Sequence, residues 1–126
     1  MSAHKNNSFP TRLGFALRGL AYALRSERSL KIQALVFLLL IVTLILLAPE
    51  PLWWALTLLA SGAVIAAELF NTAVERLADE LHPQDSPGIA VVKDCAAAAV
   101  LIAVLGALGV AAALLVHLIA LAGPSV

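Results

Sequence analysis

The chain has 126 residues, of which 62% are hydrophobic and 13% are charged, and its formal net charge is zero. Soluble globular domains average about 45–50% apolar and about 25% charged residues. The composition therefore excludes an ordinary soluble protein and predicts an integral membrane protein with a single domain, residues 1–126. The single cysteine, Cys95, excludes an internal disulfide and a cysteine metal cluster.

The basic residues are unevenly distributed along the chain. Arg76 and Lys93 flank a polar loop, and the other six precede the first long apolar segment: Lys5, Arg12, Arg18, Arg25, Arg28 and Lys31. Because basic residues are enriched in the cytoplasmic loops of membrane proteins, we expect the N-terminus and this loop to face the cytoplasm. The first 30 residues lack a continuous apolar segment, so we expect no signal peptide.

The first predicted element is an amphipathic helix at about residues 10–26, with Pro10 in its first turn. Its leucines recur at intervals of four, three and four residues, at Leu13, Leu17, Leu20 and Leu24. This spacing puts them on one face of a helix. A helix with one apolar face and basic residues on another is typical of helices that lie in the headgroup layer of a membrane.

Three apolar segments follow, at about residues 30–48, 51–80 and 89–121, and each is long enough to span a membrane as a helix. Pro49 and Pro51 separate the first from the second, because two prolines do not fit inside one helix. A polar loop with two prolines separates the second from the third. We therefore predict an all-α membrane protein with a surface helix and three transmembrane helices.

Three carboxylates and one amide lie on one flank of the second predicted span. Each helical residue turns by about 100°, so Glu75 and Asp79 fall about 20° on either side of Glu68, and Asn71 about 60° away. Residues 52–67, which precede them, carry no charge, so the stripe begins near a membrane surface. Ionisable groups at membrane depth are candidates for function. The alternative is a helix end whose charges are merely solvated.

The cytoplasmic ends of the predicted spans also collect Glu27, Lys93 and Asp94. Paired carboxylates suit Mg²⁺, which usually binds one or two of them together with substrate phosphates, and a lysine at the start of a helix favours anions. A glutamate at headgroup depth is suited to accept a proton from a lipid hydroxyl. The residues therefore favour phosphoryl transfer to a membrane lipid. The alternative class is a non-enzymatic bundle, such as a small channel or an assembly factor. It would need polar residues along the length of its spans to line a pore, whereas we expect the middle of each span to be apolar.

Three motifs resemble those of a known family. The sequence from Glu68 to Glu75, Glu-Leu-Phe-Asn-Thr-Ala-Val-Glu, followed by Asp79, resembles the signature of the small prokaryotic integral-membrane lipid kinases, the diacylglycerol kinases and their undecaprenol kinase relatives. Residues 93–101 resemble the second motif of that family, and Glu27-Arg28-Ser29 resembles its glutamate before the first span. The resemblance extends from about Arg12 to Leu115.

The resemblance implies an ATP- and Mg²⁺-dependent kinase that forms a homotrimer in the bacterial cytoplasmic membrane. Its active sites would lie on the cytoplasmic face and be shared between chains. By position, Glu68 matches the catalytic base, and Glu27 and Glu75 match magnesium ligands that also hold ATP. Further positions match nucleotide contacts: Lys93, Asp94, Gln84, Asp85, Ser86, Phe15 and Arg12. Asn71 and Asp79 match supporting polar residues of the site.

Some positions depart from the family pattern. Ser29 stands where many members have Asn or Ala, Gln33 where His or Glu is common, and Phe15 replaces a frequent Tyr. The family pattern therefore predicts no particular contact for Ser29 or Gln33. The motifs concern the phosphoryl donor and the transferred group. We expect 1,2-diacylglycerol as the acceptor and phosphatidate as the product, with undecaprenol and undecaprenyl phosphate as the alternative.

Overall fold

The computed structural model describes residues 7–84 and 86–123, which form four helices and contain no strand. The helices are α1 (Phe9–Ser26), α2 (Arg28–Leu47), α3 (Pro51–Leu81) and α4 (Pro87–Ala122). Helices α2, α3 and α4 are each long and apolar enough to cross a membrane. The predicted all-α fold with three membrane-spanning helices is thus confirmed.

A single extended residue, Glu27, separates α1 from α2, with φ −102° and ψ 121°. Its N–H donates to the carbonyl of Ala23 over 2.8 Å, which closes α1. Its own carbonyl accepts from the N–H of Lys31 over 3.3 Å in the first turn of α2. The side chain of Glu27 therefore emerges at the junction of the two helices.

The connection between α2 and α3 is a tight turn that begins at Ala48. This residue closes α2 in the left-handed conformation, with φ 44° and ψ 50°, and α3 begins at Pro51. Soon after the turn, the ring of Trp53 lies against the ring of His117, with their centroids 5.2 Å apart. This contact joins the start of α3 to the end of α4, so the two helices run in opposite directions.

Helix α4 begins at Pro87, two residues before the predicted start. The hydroxyl of Ser86 caps this end, because its Oγ accepts a hydrogen bond of 3.2 Å from the N–H of Ile89. Proline is well suited to the first helical position, where an N–H would have no intrahelical partner. The cap and the proline together explain the earlier start.

Helix α3 forms the centre of the molecule and packs most extensively against α4. Its buried residues form one stripe: Thr57, Ser61, Val64, Glu68, Thr72 and Ala78. The sequence predicted an apolar middle for each span, but small hydroxyl residues lie in the middle of α3. Such residues allow neighbouring membrane helices to approach closely. No residue of α4, by contrast, is buried within the single chain.

Candidate active site

Glu68 lies on the buried stripe of α3 and is only 6% exposed. Its Oε2 accepts a hydrogen bond of 3.0 Å from the Oγ of Ser29 in the first turn of α2. A buried carboxylate requires such donors, because an unpaired charge away from water is costly. Helices α2 and α3 thus hold the carboxylate in one orientation. The family pattern predicted no contact for Ser29, so this hydrogen bond is a new feature of the site.

Asn71 and Glu75 follow on the same helix and are joined by a hydrogen bond. The Nδ2 of Asn71 donates to Glu75 Oε1 over 3.0 Å. The other amide atom, Asn71 Oδ1, is buried and has no hydrogen-bond partner among the described residues. Buried acceptors without a donor are uncommon in proteins. Asn71 Oδ1 is thus an unpaired buried acceptor on the residue that is hydrogen-bonded to Glu75.

Glu27 contacts α3 through Arg76, to which the sequence assigned no role in the site. Glu27 Oε1 lies 3.4 Å from a terminal guanidinium nitrogen of Arg76 and accepts a hydrogen bond of 3.2 Å from Ser26 Oγ. The guanidinium of Arg76 also lies over the ring of Tyr22, 5.6 Å from its centroid. Arg76 therefore links α3 to α1 and to the junction between α1 and α2.

The end of α3 and the start of α4 bring a second group of predicted residues together. Lys93 Nζ lies 2.6 Å from Asp79 Oδ1. Lys93 also lines a surface cavity of about 510 Å³ with Ser86 and Asp94. Three predicted nucleotide-binding residues therefore share one cavity, and Asp79 holds the lysine at its edge.

The remaining predicted nucleotide contacts are Phe15 and Arg12 on α1, Gln84, and Asp85. The ring of Phe15 lies under the guanidinium of Arg18, with 4.8 Å between the guanidinium carbon and the ring centroid. Arg12 and Gln84 are exposed, and Asp85 lies outside the described residues. The assignment of these four positions to a nucleotide site stays a prediction.

The oxygen atoms of Glu27, Glu75 and Asn71 match the ligand preference of a hard cation. Residues 7–84 and 86–123 contain no group of three or more His, Cys, Asp or Glu side chains able to hold a metal. Structural zinc sites need four such ligands, whereas Mg²⁺ needs only one or two carboxylates when phosphates and water complete its shell. The residues present therefore fit magnesium that binds together with a nucleotide.

Two comparisons with known proteins identify the family of the chain. Residues 14–115 match the family model described as prokaryotic diacylglycerol kinase. The chain is also 35% identical, over 102 residues, to a diacylglycerol kinase from Synechocystis sp. (strain ATCC 27184 / PCC 6803 / Kazusa). That match covers 80% of this chain and 58% of the relative's own length. The residues matched by the family model include all of α3 as well as Glu27 and Lys93. The chain belongs to the prokaryotic diacylglycerol kinase family.

Proposed function

We propose that this chain is a membrane lipid kinase that transfers a phosphoryl group from ATP to the hydroxyl of 1,2-diacylglycerol, forming phosphatidate. The observation that carries the proposal is the buried carboxylate of Glu68 in a membrane-spanning helix, hydrogen-bonded to Ser29. A buried ionisable group in a span is costly, and its default interpretation is a functional one. Membership of the diacylglycerol kinase family supports the same reaction.

In this mechanism Glu68 is the general base. It lies about 25 Å along α3 from Pro51, close to the ~30 Å thickness of the hydrocarbon, so a hydroxyl at headgroup depth can reach it. Ser29 binds Oε2, which leaves Oε1 to accept the hydroxyl proton. The hydroxyl oxygen forms a bond to the γ-phosphorus, and the bond between that phosphorus and the bridging oxygen of ADP breaks.

The nucleotide would bind on the aqueous side of Glu68. Glu75 lies about 10 Å further along the helix axis, and it would hold Mg²⁺ together with Glu27 and with Asn71 as a support. When bound, Mg²⁺ neutralises and orients the phosphate oxygens. Lys93, held by Asp79, would attract the phosphates into the cavity that it shares with Asp94.

The proposal includes a homotrimer in the bacterial cytoplasmic membrane, with active sites shared between chains and facing the cytoplasm. The absence of buried residues in α4 supports the oligomer, because this helix is rich in alanine and glycine, which favour contacts between membrane helices. The concentration of basic residues before α2 supports the orientation.

The test is an assay of the purified protein with radiolabelled ATP and two lipids, diacylglycerol and undecaprenol, each with Mg²⁺ or with a chelator. We expect labelled phosphatidate from diacylglycerol in the presence of Mg²⁺, and little product from the Glu68→Gln variant. If undecaprenyl phosphate is the only labelled product, the proposed acceptor is wrong but the proposed kinase activity stands. No labelled lipid in any mixture would contradict the proposal.

A further inference from the structure

Arg76 lies next to both of the glutamates that are proposed to hold magnesium, Glu27 in space and Glu75 in the chain. It is the only basic residue of α3 and directly follows Glu75. Its guanidinium lies 3.4 Å from Glu27 Oε1 and its side chain is 55% exposed. The face of Tyr22 lies under the same guanidinium. The guanidinium of Arg76 therefore contacts Glu27, one proposed magnesium ligand. In the chain, Arg76 directly follows Glu75, the other proposed ligand.

The ion pair between Arg76 and Glu27 is suited to exchange. Exposed ion pairs contribute little stability, and the 3.4 Å distance is long for a charge-assisted hydrogen bond. The ring of Tyr22 provides a second contact that is independent of Glu27 and keeps the guanidinium near the junction of α1 and α2. Arg76 can therefore release Glu27 and stay at the site.

We propose that Arg76 is a phosphate-binding residue of the nucleotide site and that Glu27 holds it while the site is empty. The inference rests on the proposed kinase function. When the nucleotide binds, Glu27 turns from the guanidinium to the magnesium site, and the guanidinium binds phosphate oxygens. A guanidinium is always charged, and its planar donors match phosphate in two parallel hydrogen bonds. Tyr22 directs the side chain from α1.

The test measures binding of a fluorescent ATP analogue to five proteins: wild type, Arg76→Gln, Arg76→Lys, Glu27→Gln and the double variant Arg76→Gln with Glu27→Gln. With Mg²⁺, we expect Arg76→Gln to weaken binding about tenfold, and Arg76→Lys, which keeps the charge but loses the planar donors, to weaken it less. In a chelator, Glu27→Gln should bind the analogue more tightly than wild type, because it frees Arg76. Most of that gain should vanish in the double variant.

Arg25→Gln is the matched control, because it removes one exposed positive charge from α1 without touching Glu27 in the structure. With Mg²⁺, it should weaken binding of the analogue less than Arg76→Gln does. If Glu27→Gln tightens binding of the analogue by the same factor with and without Arg76, the proposed exchange of Arg76 between Glu27 and phosphate is wrong. Arg76→Gln with a lower Tm and unchanged nucleotide affinity would make Arg76 a tether between α1 and α3, which also overturns the inference.

The binding experiment and the lipid phosphorylation assay together separate this inference from the kinase proposal. If the wild-type protein phosphorylates lipid but Arg76→Gln and Glu27→Gln have additive effects on binding of the analogue, the role of Arg76 is wrong and the kinase proposal stands. A wild-type protein that binds no nucleotide under either condition rejects both.

Discussion

The hydroxyl of Ser29 donates a hydrogen bond of 3.0 Å to Glu68 across the contact between α2 and α3. The two residues lie 39 positions apart in the chain, and the carboxylate is buried. Hydrogen bonds to charged groups contribute about 1.5–3 kcal/mol. Ser29 therefore stabilises the buried side chain of Glu68 and fixes the direction of its second oxygen.

The first prediction concerns Ser29. Ser29→Ala should lower kcat about tenfold, because Glu68 loses the donor that orients it, while the KM for ATP should stay within about twofold. Ser29→Thr keeps a hydroxyl and should recover part of the rate. The measurement is steady-state kinetics with both substrates varied. Thr43→Ala is the control, since the Thr43 hydroxyl donates to the carbonyl of Leu39 in its own helix. A Ser29→Ala protein with the wild-type kcat would contradict the positioning role.

The second prediction concerns the pair formed by Lys93 and Asp79. Lys93→Met should raise the KM for ATP about tenfold or more, because it removes the charged donor proposed to bind phosphate. Asp79→Asn should have a smaller effect, about threefold, since it loosens the lysine without removing it. If Asp79 acts through Lys93, the double variant should be no worse than Lys93→Met alone. A KM that rises further in the double variant would show that Asp79 has a separate role.

The third prediction concerns the orientation in the membrane. A cysteine at position 84, in a Cys95→Ala background, should react with an impermeant thiol reagent only after the cells are permeabilised. Replacing Cys95 is necessary because its side chain is exposed. A cysteine at position 50, in the turn between α2 and α3, should react in intact cells. Labelling of position 84 from outside would reverse the proposed topology.

The helices were largely predictable from the sequence because their signals are local. The apolar length of each span and the prolines at the turns define α2 and α3 without any knowledge of contacts. Helical periodicity also placed Glu68, Asn71 and Glu75 on one flank of α3. The structure retains this relation, since Asn71 and Glu75 are hydrogen-bonded one turn apart.

The contacts between helices were not predictable in the same way. Ser29 meets Glu68 and Arg76 meets Glu27 only because α1, α2 and α3 pack at particular rotations, and a single sequence contains no signal for that packing. Arg76 offered one clue, because a basic residue directly after Glu75 lies close to the carboxylate stripe. The burial of the Thr57 and Ser61 hydroxyls has no clear signal in the sequence, because such small side chains barely interrupt an apolar segment.

The fourth prediction concerns sites shared between chains. At an ATP concentration well below the raised KM of Lys93→Met, Glu68→Gln and Lys93→Met should each be poorly active alone. A mixed trimer, however, would contain sites that combine an intact Glu68 from one chain with an intact Lys93 from its neighbour. Random mixing of equal amounts should restore about a quarter of the sites. The measurement is lipid phosphorylation after co-expression of the two variants. Activity no greater than the sum of the two separate variants would mean that each chain supplies both residues of its own site.

The fifth prediction separates Glu68 from Glu75, two carboxylates on the same flank of α3. Glu68 is buried and accepts a hydrogen bond from Ser29, whereas Glu75 is half-buried and accepts a hydrogen bond from Asn71. Glu68→Gln should leave nucleotide binding nearly intact and slow transfer about 10²–10⁴-fold, which is the usual contribution of a general base.

Glu75→Gln should act differently, because it removes one of the few protein ligands proposed for Mg²⁺. It should weaken nucleotide binding and raise the magnesium concentration needed for half-maximal activity, while saturating magnesium should restore part of the turnover. The measurement is nucleotide affinity and turnover of both variants across a magnesium titration. Glu80→Gln is the control, because it removes an exposed carboxylate from the last turns of α3. Loss of nucleotide binding in Glu68→Gln, with binding retained in Glu75→Gln at low magnesium, would show that the two roles are reversed.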